Sequence, residues 1–221
     1  MIKAVIFDMD GVLIDSEPLH HKIFKAYIHN KFGLMISDEE YNTFIGTTNK
    51  SIFTALQNRH GVKGNIDAYI EEYEEEYFAY LMTAAGEKPI YGVDHLIKKL
   101  YQAGMRVALA SSSPKKHIDI IVEMFGLNEF FAQKVSGQEV KRGKPAPDIF
   151  LRAAELLQVS PEECLVFEDS KNGIAAAKEA GMKCIAFYNR NSGNQDLSAA
   201  DKIIYSFTEM LDQAELLQCS L

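Results

Sequence analysis

The sequence has too few cations, cysteines and long apolar runs for several classes of protein. Its 23 lysines and arginines are outnumbered by 31 aspartates and glutamates, which gives a formal net charge of −8. Because a nucleic acid backbone or an anionic membrane is bound by clustered cations, we expect neither as a partner. A small phosphorylated substrate remains compatible, since only the field at its own site has to be positive.

Cysteine usage and the length of the apolar runs restrict the compartment. The three cysteines, Cys164, Cys184 and Cys219, lack the spacing of a metal site, and the first two lie in apolar strand patterns. We therefore expect buried, reduced thiols in a cytoplasmic protein. No segment is long enough to span a bilayer. The N-terminal apolar run lacks a basic flank and a small-residue cleavage site, so we expect no signal peptide.

The pattern of apolar residues predicts an α/β fold. The chain has 221 residues, of which 47% are hydrophobic and 24% charged, as in an ordinary globular protein. Short apolar runs predict strands at 4–7, 106–110, near 134, at 164–167, 183–187 and 203–204. Helical spacing predicts helices after Ser16, at 51–57, 66–81, 94–102, 114–125, 148–157 and 174–180, and an amphipathic tail through Leu211 and Leu216. This alternation indicates a doubly wound parallel sheet.

The first predicted strand, Ala4–Phe7, is followed directly by two carboxylates, Asp8 and Asp10, and then by Gly11. Ligands of open α/β sheets lie just beyond the carboxyl ends of the strands. Asp8 and Asp10 point to the same side of the chain, so together they can hold a divalent cation. An isolated Asp-x-Asp is also compatible with a polar strand end capped by a turn.

Three further segments place polar groups at equivalent positions. Ser111 follows the second strand, Lys144 lies in a loop rich in glycine and proline that precedes a helix, and Glu168 and Asp169 follow a third apolar strand. In a doubly wound sheet such positions meet at one edge. The sequence therefore predicts a single crevice that contains two pairs of carboxylates, a hydroxyl and an ammonium group.

These four segments, in this order, resemble the motifs of the haloacid dehalogenase superfamily. The matching residues are DMDG, then Ser111, then Lys144 in KPAPD, and finally Glu168 and Asp169 in FEDSKNG. The continuation DGVLIDSEP is most similar to the β-phosphoglucomutase-like group within that superfamily. The resemblance extends over nearly the whole chain.

The resemblance also implies a domain organisation and a class of substrate. It implies a core domain of residues 1–15 and 91–221, with a small all-helical cap of residues 16–90 inserted between them. Dehalogenases and phosphonate-cleaving members lack the second aspartate of the first motif. The presence of Asp10 therefore favours phosphate esters as substrates.

The same resemblance implies roles for the converging side chains. Asp8 is implied as the nucleophile that forms an aspartyl phosphate, and Asp10 as the acid and base that protonates the leaving alkoxide. Lys144 would neutralise charge, and Ser111 and the amide of Ser112 would bind the phosphoryl group. The implied cofactor is Mg²⁺. Its expected ligands are Asp8, Asp10, Glu168 and Asp169.

Three features of these segments have a second or simpler interpretation. Glu168 is alternatively a partner of the metal ligands and not a ligand itself. Ser113, which precedes Pro114, is interpreted as a helix N-cap. A tyrosine stripe on the predicted helix at 66–81 is interpreted as packing within the cap, not as substrate binding. It consists of Tyr69, Tyr73, Tyr77 and Tyr80.

Four residues of the implied cap are candidate substrate ligands. His20 lies on the first cap helix, where a histidine in this family can couple substrate binding to cap closure. The segment 45–51 resembles the specificity loop of the family and includes Gly46, Asn49 and Lys50. β-Phosphoglucomutases carry an arginine three residues after the loop glycine, and this chain has Asn49 there. Lys50 is a possible replacement, but it lies one residue further along.

We therefore expect a monomeric, Mg²⁺-dependent phosphatase of small phosphorylated metabolites such as sugar or nucleotide-derived phosphates. The alternative is a sugar phosphomutase of the β-phosphoglucomutase type. A third hypothesis is a binding protein on the same fold without activity, and the complete set of acidic and basic residues argues against it.

Overall fold

The computed structural model describes residues 1–45, 47–83 and 86–211. It contains a sheet of six parallel strands in the order β3-β2-β1-β4-β5-β6. The strands are β1 (Ala4–Phe7), β2 (Arg106–Ser111), β3 (Gln133–Ser136), β4 (Cys164–Glu168), β5 (Lys183–Phe187) and β6 (Lys202–Ile204). The predicted doubly wound parallel sheet is confirmed, and the predicted strands lie within one or two residues of those observed.

The register of the central strands brings their carboxyl ends level. Phe7, the last residue of β1, pairs with Leu109 of β2 on one side and with Phe167 of β4 on the other. The residues that follow these pairs therefore come to one edge of the sheet, as expected for parallel strands.

Alternation along the strands creates two apolar layers. On one face, Phe7, Leu109 and Phe167 join a core cluster that continues into the helices of the first part of the chain. On the other face, smaller side chains such as Ile6 and Ala108 pack in a second cluster. Both faces are buried, which explains why these strands are uniformly apolar in sequence.

Nine α-helices lie within the described residues. The first four after β1 are α1 (Glu17–Phe32), α2 (Asp38–Asn42), α3 (Asn49–His60) and α4 (Ile66–Thr83). Five belong to the remainder of the chain: α5 (Val93–Gln102), α6 (Lys115–Met124), α7 (Asp148–Leu157), α8 (Lys171–Glu179) and α9 (Thr208–Leu211). The first four form the inserted helical cap that the sequence predicts, and no strand interrupts them in the described ranges.

Aromatic side chains form the centre of the cap. The ring of Phe24 packs edge-on against those of Phe53 and Tyr73, and Tyr27 packs against the same two rings. Tyr73 and Tyr77 are buried, in agreement with a packing role for the tyrosine stripe. Such contacts stabilise the cap beyond the burial of apolar area alone.

The cap also contacts the core domain through α4 and α6. The ring of His117, on α6, stacks on Phe78 with ring centroids 5.5 Å apart and lies 5.6 Å from the ring of Tyr77. Tyr77 also stacks on His20, with ring centroids 4.0 Å apart. A continuous row of rings therefore runs from α6 to α1.

Two further expectations concern the thiols and membranes. Cys164 and Cys184 are buried free thiols, whereas Cys219 and Leu216 lie outside the described residues. No helix in the described ranges combines the length and the apolar character needed to cross a membrane.

Candidate active site

Lys144 joins two carboxylates at the carboxyl edge of the sheet. Its Nζ lies 2.7 Å from Oδ1 of Asp8, directly after β1, and 2.7 Å from Oε1 of Glu168, at the end of β4. All three side chains are buried, with at most 10% of their surface exposed. Removing one partner of such a buried pair leaves an uncompensated charge, so the three groups depend on one another.

Both oxygens of Glu168 are engaged. Oε1 accepts a hydrogen bond from Lys144, and Oε2 accepts from the amides of Asp169 and Ser170 and from the Ser170 hydroxyl. The carboxylate lies against Gly173 in the first turn of α8, where any Cβ would overlap with it. Glycine at this position is therefore required for Glu168 to reach Lys144.

Asp10 is held by the turn that follows β2. The hydroxyl of Ser113 donates a hydrogen bond of 2.7 Å to Oδ2 of Asp10, and the hydroxyl of Ser111 lies 3.4 Å from the same oxygen. The amide of Ser113 donates to Oγ of Ser111. The interpretation of Ser113 as a helix N-cap is wrong, because its hydroxyl is used by Asp10 and Pro114 is the residue that precedes α6.

Asp169 lines the same crevice as Asp8 and Asp10. One of its oxygens accepts a hydrogen bond from the hydroxyl of Ser192 and lies against Gly11. Gly11 has φ +80°, and a Cβ there would overlap with the Asp169 carboxylate. The glycine after the first motif therefore serves both the turn and the close approach of Asp169.

Negative charge exceeds positive charge in this buried cluster. Burial, opposed by Lys144, raises the pKa of Asp8 to about 7. Burial and the neighbouring Glu168 raise the pKa of Asp169 well above its usual range. Burial disfavours the charged form of Lys144, but Asp8 and Glu168 outweigh it and raise the pKa of the ammonium group. One ammonium group does not balance these carboxylates, so the cluster favours an additional cation.

The donor set fits a hard divalent cation. Asp8, Glu168 and Asp169 each place a carboxylate oxygen within 4.8 Å of the others. Oxygen ligands of this kind suit Mg²⁺ better than zinc, since neither histidine nor cysteine belongs to the group. Because both oxygens of Glu168 already accept hydrogen bonds, Asp8 and Asp169 are the carboxylates best able to contact such an ion directly.

The predicted phosphoryl ligands lie in the same crevice. Ser111, Ser112 and Lys144 line it together with Asp8 and Asp10. The core residues predicted from the sequence are therefore brought together by the fold.

The candidate ligands from the cap are only partly brought to this crevice. His20 and Asn49 line its extension into the cap, next to Asp10. Lys50 faces elsewhere: its side chain is 71% exposed and its Nζ lies 3.5 Å from Asp67. Gly46 lies outside the described residues. Tyr73 lines the extension and hydrogen-bonds His20 at 2.8 Å, so one member of the tyrosine stripe contacts the crevice as well as the cap core.

Comparison with known proteins agrees with this geometry. Residues 5–187 match the model of the family described as haloacid dehalogenase-like hydrolase. The chain belongs to this family. The resemblance predicted from the sequence is thereby confirmed, and the chain is an enzyme, a phosphatase of the haloacid dehalogenase type.

Several members of the haloacid dehalogenase-like family are similar over their full length. A phosphorylated carbohydrates phosphatase of Thermotoga maritima is 30% identical over 96% of this chain and 97% of its own. Protein CbbY of Cereibacter sphaeroides is 33% identical over 95% and 94%. The crystal structure of CbbY from Rhodobacter sphaeroides in complex with phosphate is 28% identical, covers 95% of this chain and 96% of that one, and superimposes with a TM-score of 0.82.

Sequence reasoning missed the loop that follows β5 in this chain. Besides Ser192, it contributes Asn189, which donates to the carbonyl oxygen of Gly11 at 3.2 Å and to Oδ1 of Asp15 at 3.1 Å. Asn191 donates to the other oxygen of Asp15 at 2.6 Å. Its position in the sequence could have indicated its role, because this polar segment follows the fifth strand and so lies at the same edge of the sheet.

Proposed function

We propose that the enzyme is an Mg²⁺-dependent phosphomonoester hydrolase that acts on a small phosphorylated metabolite through an aspartyl phosphate on Asp8. The observation that carries this proposal is the buried Asp8 carboxylate, held through one oxygen by Lys144 and flanked by Asp10 and Asp169. Oδ2 of Asp8 accepts no hydrogen bond from the described residues, so it is available for attack.

In the first step, an oxygen of Asp8 attacks phosphorus. The bond between phosphorus and the leaving alcohol breaks as the new bond forms, and protonated Asp10 gives its proton to the departing oxygen. Ser111 and Ser112 line the space next to Asp8 and are proposed to bind the phosphoryl oxygens. Lys144 offsets the negative charge on them.

In the second step, water attacks the phosphorus of the aspartyl phosphate. Asp10, now a carboxylate, accepts a proton from that water, and the bond between phosphorus and Asp8 breaks. Inorganic phosphate leaves, Asp8 is a carboxylate again and Asp10 is protonated for the next cycle. Ser113 supports both steps by orienting the carboxyl group of Asp10.

Asp8, Asp169 and the main-chain oxygen of Asp10 are proposed to hold Mg²⁺, which would neutralise charge between the carboxylates and the phosphoryl group. Glu168 is proposed to position Lys144, since its oxygens are occupied. Residues 16–90 are proposed to act as the cap that covers the substrate.

Phosphate release from an aryl phosphate tests this function. We expect turnover with Mg²⁺, loss of turnover with a chelator, and recovery when Mg²⁺ is restored. Asp8→Asn is expected to be inactive, whereas Asp119→Asn, a half-buried aspartate on α6 that pairs with Lys134, should retain full activity. Undiminished turnover without metal, or in Asp8→Asn, would contradict the proposal.

A sugar phosphomutase is the second candidate, and the cap favours hydrolysis over it. A mutase has to hold the far phosphate of a bisphosphate intermediate, preferably with an arginine. Asn49 carries no charge, and Lys50 pairs with Asp67 on the outside of the cap. The test is incubation with β-glucose 1-phosphate, Mg²⁺ and a trace of bisphosphate. Glucose 6-phosphate formed much faster than free phosphate would identify a mutase.

A further inference from the structure

The crevice extends beyond Asp10 into the cap, where the leaving group of a phosphate ester would lie. This extension is a cavity of about 230 Å³ whose polar lining includes Glu17, His20, Tyr41, Asn49 and Tyr73. It shares Asp10, Glu17 and Thr47 with the space around the carboxylate cluster, so the two are continuous.

The extension contains negative charge without an opposing cation. Among the described residues that line the crevice and its extension, Lys144 is the single lysine or arginine, and it is already paired with Asp8 and Glu168. Residues 46, 84, 85 and 212–221 contain no lysine or arginine in the sequence. Burial lowers the pKa of His20, which disfavours its cationic form.

Glu17 is the carboxyl group that the first cap helix contributes to the extension; burial raises its pKa, and the hydrogen bond from Tyr41 opposes that rise. Its Oε1 accepts a hydrogen bond of 2.8 Å from the Tyr41 hydroxyl, and its Oε2 accepts none from the described residues. That second oxygen can accept a hydrogen bond from a hydroxyl of the leaving group. A carboxylate or second phosphate at the same place would meet the Glu17 carboxylate as a like charge.

The other polar groups of the extension also suit neutral hydroxyls. Nδ1 of His20 is hydrogen-bonded to the hydroxyl of Tyr73, and its Nε2 has no hydrogen-bond partner among the described residues. Asn49 makes one long hydrogen bond, from its amide nitrogen to Glu74 at 3.4 Å, and its amide oxygen has none in the same part of the chain. Imidazole and amide groups can donate to or accept from a hydroxyl, whereas they do not neutralise an anion.

Building on the proposed function, we infer that the substrate is the monophosphate of a neutral, hydroxyl-rich alcohol, and that Glu17 selects against leaving groups that carry a second phosphate or a carboxylate. An ammonium group on the leaving group is tolerated, because Glu17 can pair with it.

One cation lies near the outer mouth of the crevice. Arg190 is exposed and lines a separate cavity of about 510 Å³ that also contacts Glu17. If Arg190 held a second anionic group, the selectivity would be reversed. The variant Arg190→Ala therefore belongs in the test.

The test compares kcat/KM for esters that share a phosphate on C6 and differ in charge elsewhere. Sorbitol 6-phosphate and 6-phosphogluconate differ only in a hydroxymethyl or carboxylate group at C1. Glucose 6-phosphate is compared with glucose 1,6-bisphosphate and with glucosamine 6-phosphate. We expect the carboxylate and the second phosphate each to lower kcat/KM by about tenfold or more. The amine should cost less than about threefold.

Variants assign the selectivity to a residue. In Glu17→Gln, which preserves an acceptor for Tyr41, the preference for sorbitol 6-phosphate over 6-phosphogluconate should fall by at least about threefold. Glu39→Gln, an exposed glutamate of α2, should leave it unchanged. Asn49→Arg should raise kcat/KM for the bisphosphate by about tenfold, by placing a cation in the extension.

The possible outcomes separate this inference from the proposed function. Three outcomes would overturn the inference and leave the hydrolase assignment intact. The first is equal turnover of charged and neutral esters, and the second is a preference for the bisphosphate that Arg190→Ala abolishes. The third is turnover of an aryl phosphate without turnover of any of the C6 esters. Failure to hydrolyse even the aryl phosphate with Mg²⁺ would overturn both.

Discussion

The hydroxyl of Ser113 donates a hydrogen bond of 2.7 Å to Oδ2 of Asp10. The two residues belong to turns that follow neighbouring strands, β2 and β1, and they are 103 positions apart in the chain. The proposed acid and base is therefore oriented by the same turn that presents Ser111 and Ser112 to the phosphoryl group.

Ser113→Ala should impair proton transfer more than phosphoryl binding. We expect kcat/KM for an alkyl phosphate to fall by about tenfold, because Asp10 loses the donor that orients it. An aryl phosphate, whose leaving group needs little protonation, should be affected much less. Ser113→Thr should restore most of the alkyl activity. Equal losses for both esters would indicate that Ser113 acts on the phosphoryl group instead.

Gly173→Ala should lower the activity of the enzyme indirectly, by displacing Glu168 and not through a contact with the substrate. A Cβ at this position overlaps with the carboxylate of Glu168, so Glu168 and with it Lys144 must move. We expect kcat/KM to fall by more than about tenfold, and unfolding to require about 1–3 kcal/mol less free energy. Gly86→Ala, where nothing lies within 4 Å of the added carbon, is the control. Wild-type activity in Gly173→Ala would refute the positioning role of Glu168.

The sheet and the core of the site could be predicted because the signals are local and agree. Uniformly apolar strands such as Ala4–Phe7 and Cys164–Glu168 identify buried parallel strands, and the polar residues that follow them must come to one edge. Asp8, Ser111 and Asp169 were therefore predicted at this edge from their positions, whereas the role predicted for Lys144 rested on the resemblance to the haloacid dehalogenase superfamily.

The contacts that were missed depend on geometry that spacing does not specify. Ser113 has the sequence context of an N-cap, and only the turn after β2 directs its hydroxyl to Asp10. Lys50 and Asn49 are neighbours in the first turn of α3, where one residue corresponds to a rotation of about 100°. That rotation directs Asn49 into the crevice and Lys50 to the surface.

His117 should lower the stability of the protein in acid. Burial, followed by the charge of Lys116, lowers the pKa of His117 to about 4, and its Nε2 is buried without a partner among the described residues. The unfolded chain binds a proton near the usual pKa of 6.5, so stability is lost as the pH falls from there towards 4.

Replacing His117 isolates that contribution. Between about pH 7 and about pH 5, His117→Phe should lose less unfolding free energy than the wild type, by on the order of 1 kcal/mol. Phenylalanine keeps the stacking on Phe78. Denaturant unfolding at the two pH values measures the difference, with the exposed His95→Phe as control. Equal acid losses in His117→Phe and the wild type would show that His117 is protonated in the fold.

Mg²⁺ should stabilise the protein more at high pH than at low pH. The raised pKa values of Asp8, about 7, and Asp169 mean that the metal-free protein loses stability as the pH rises through about 7, because buried carboxylates become charged. Mg²⁺ binds the deprotonated groups. The rise in Tm caused by millimolar Mg²⁺ should therefore be larger near pH 8 than near pH 6, and Asp169→Asn should largely abolish it. An equal rise in Tm at both pH values would contradict the assignment of Asp8 and Asp169 as ligands.

The position of the phosphoryl group on the enzyme tests the central claim most directly. Enzyme that is turning over a phosphate ester with Mg²⁺ is quenched in acid and digested, and the modified peptide is located by mass spectrometry. We predict one added phosphoryl group on Asp8, slower labelling in Asp10→Asn and none in Asp8→Asn. Phosphate attached to any other residue, or turnover that persists in Asp8→Asn, would contradict the mechanism.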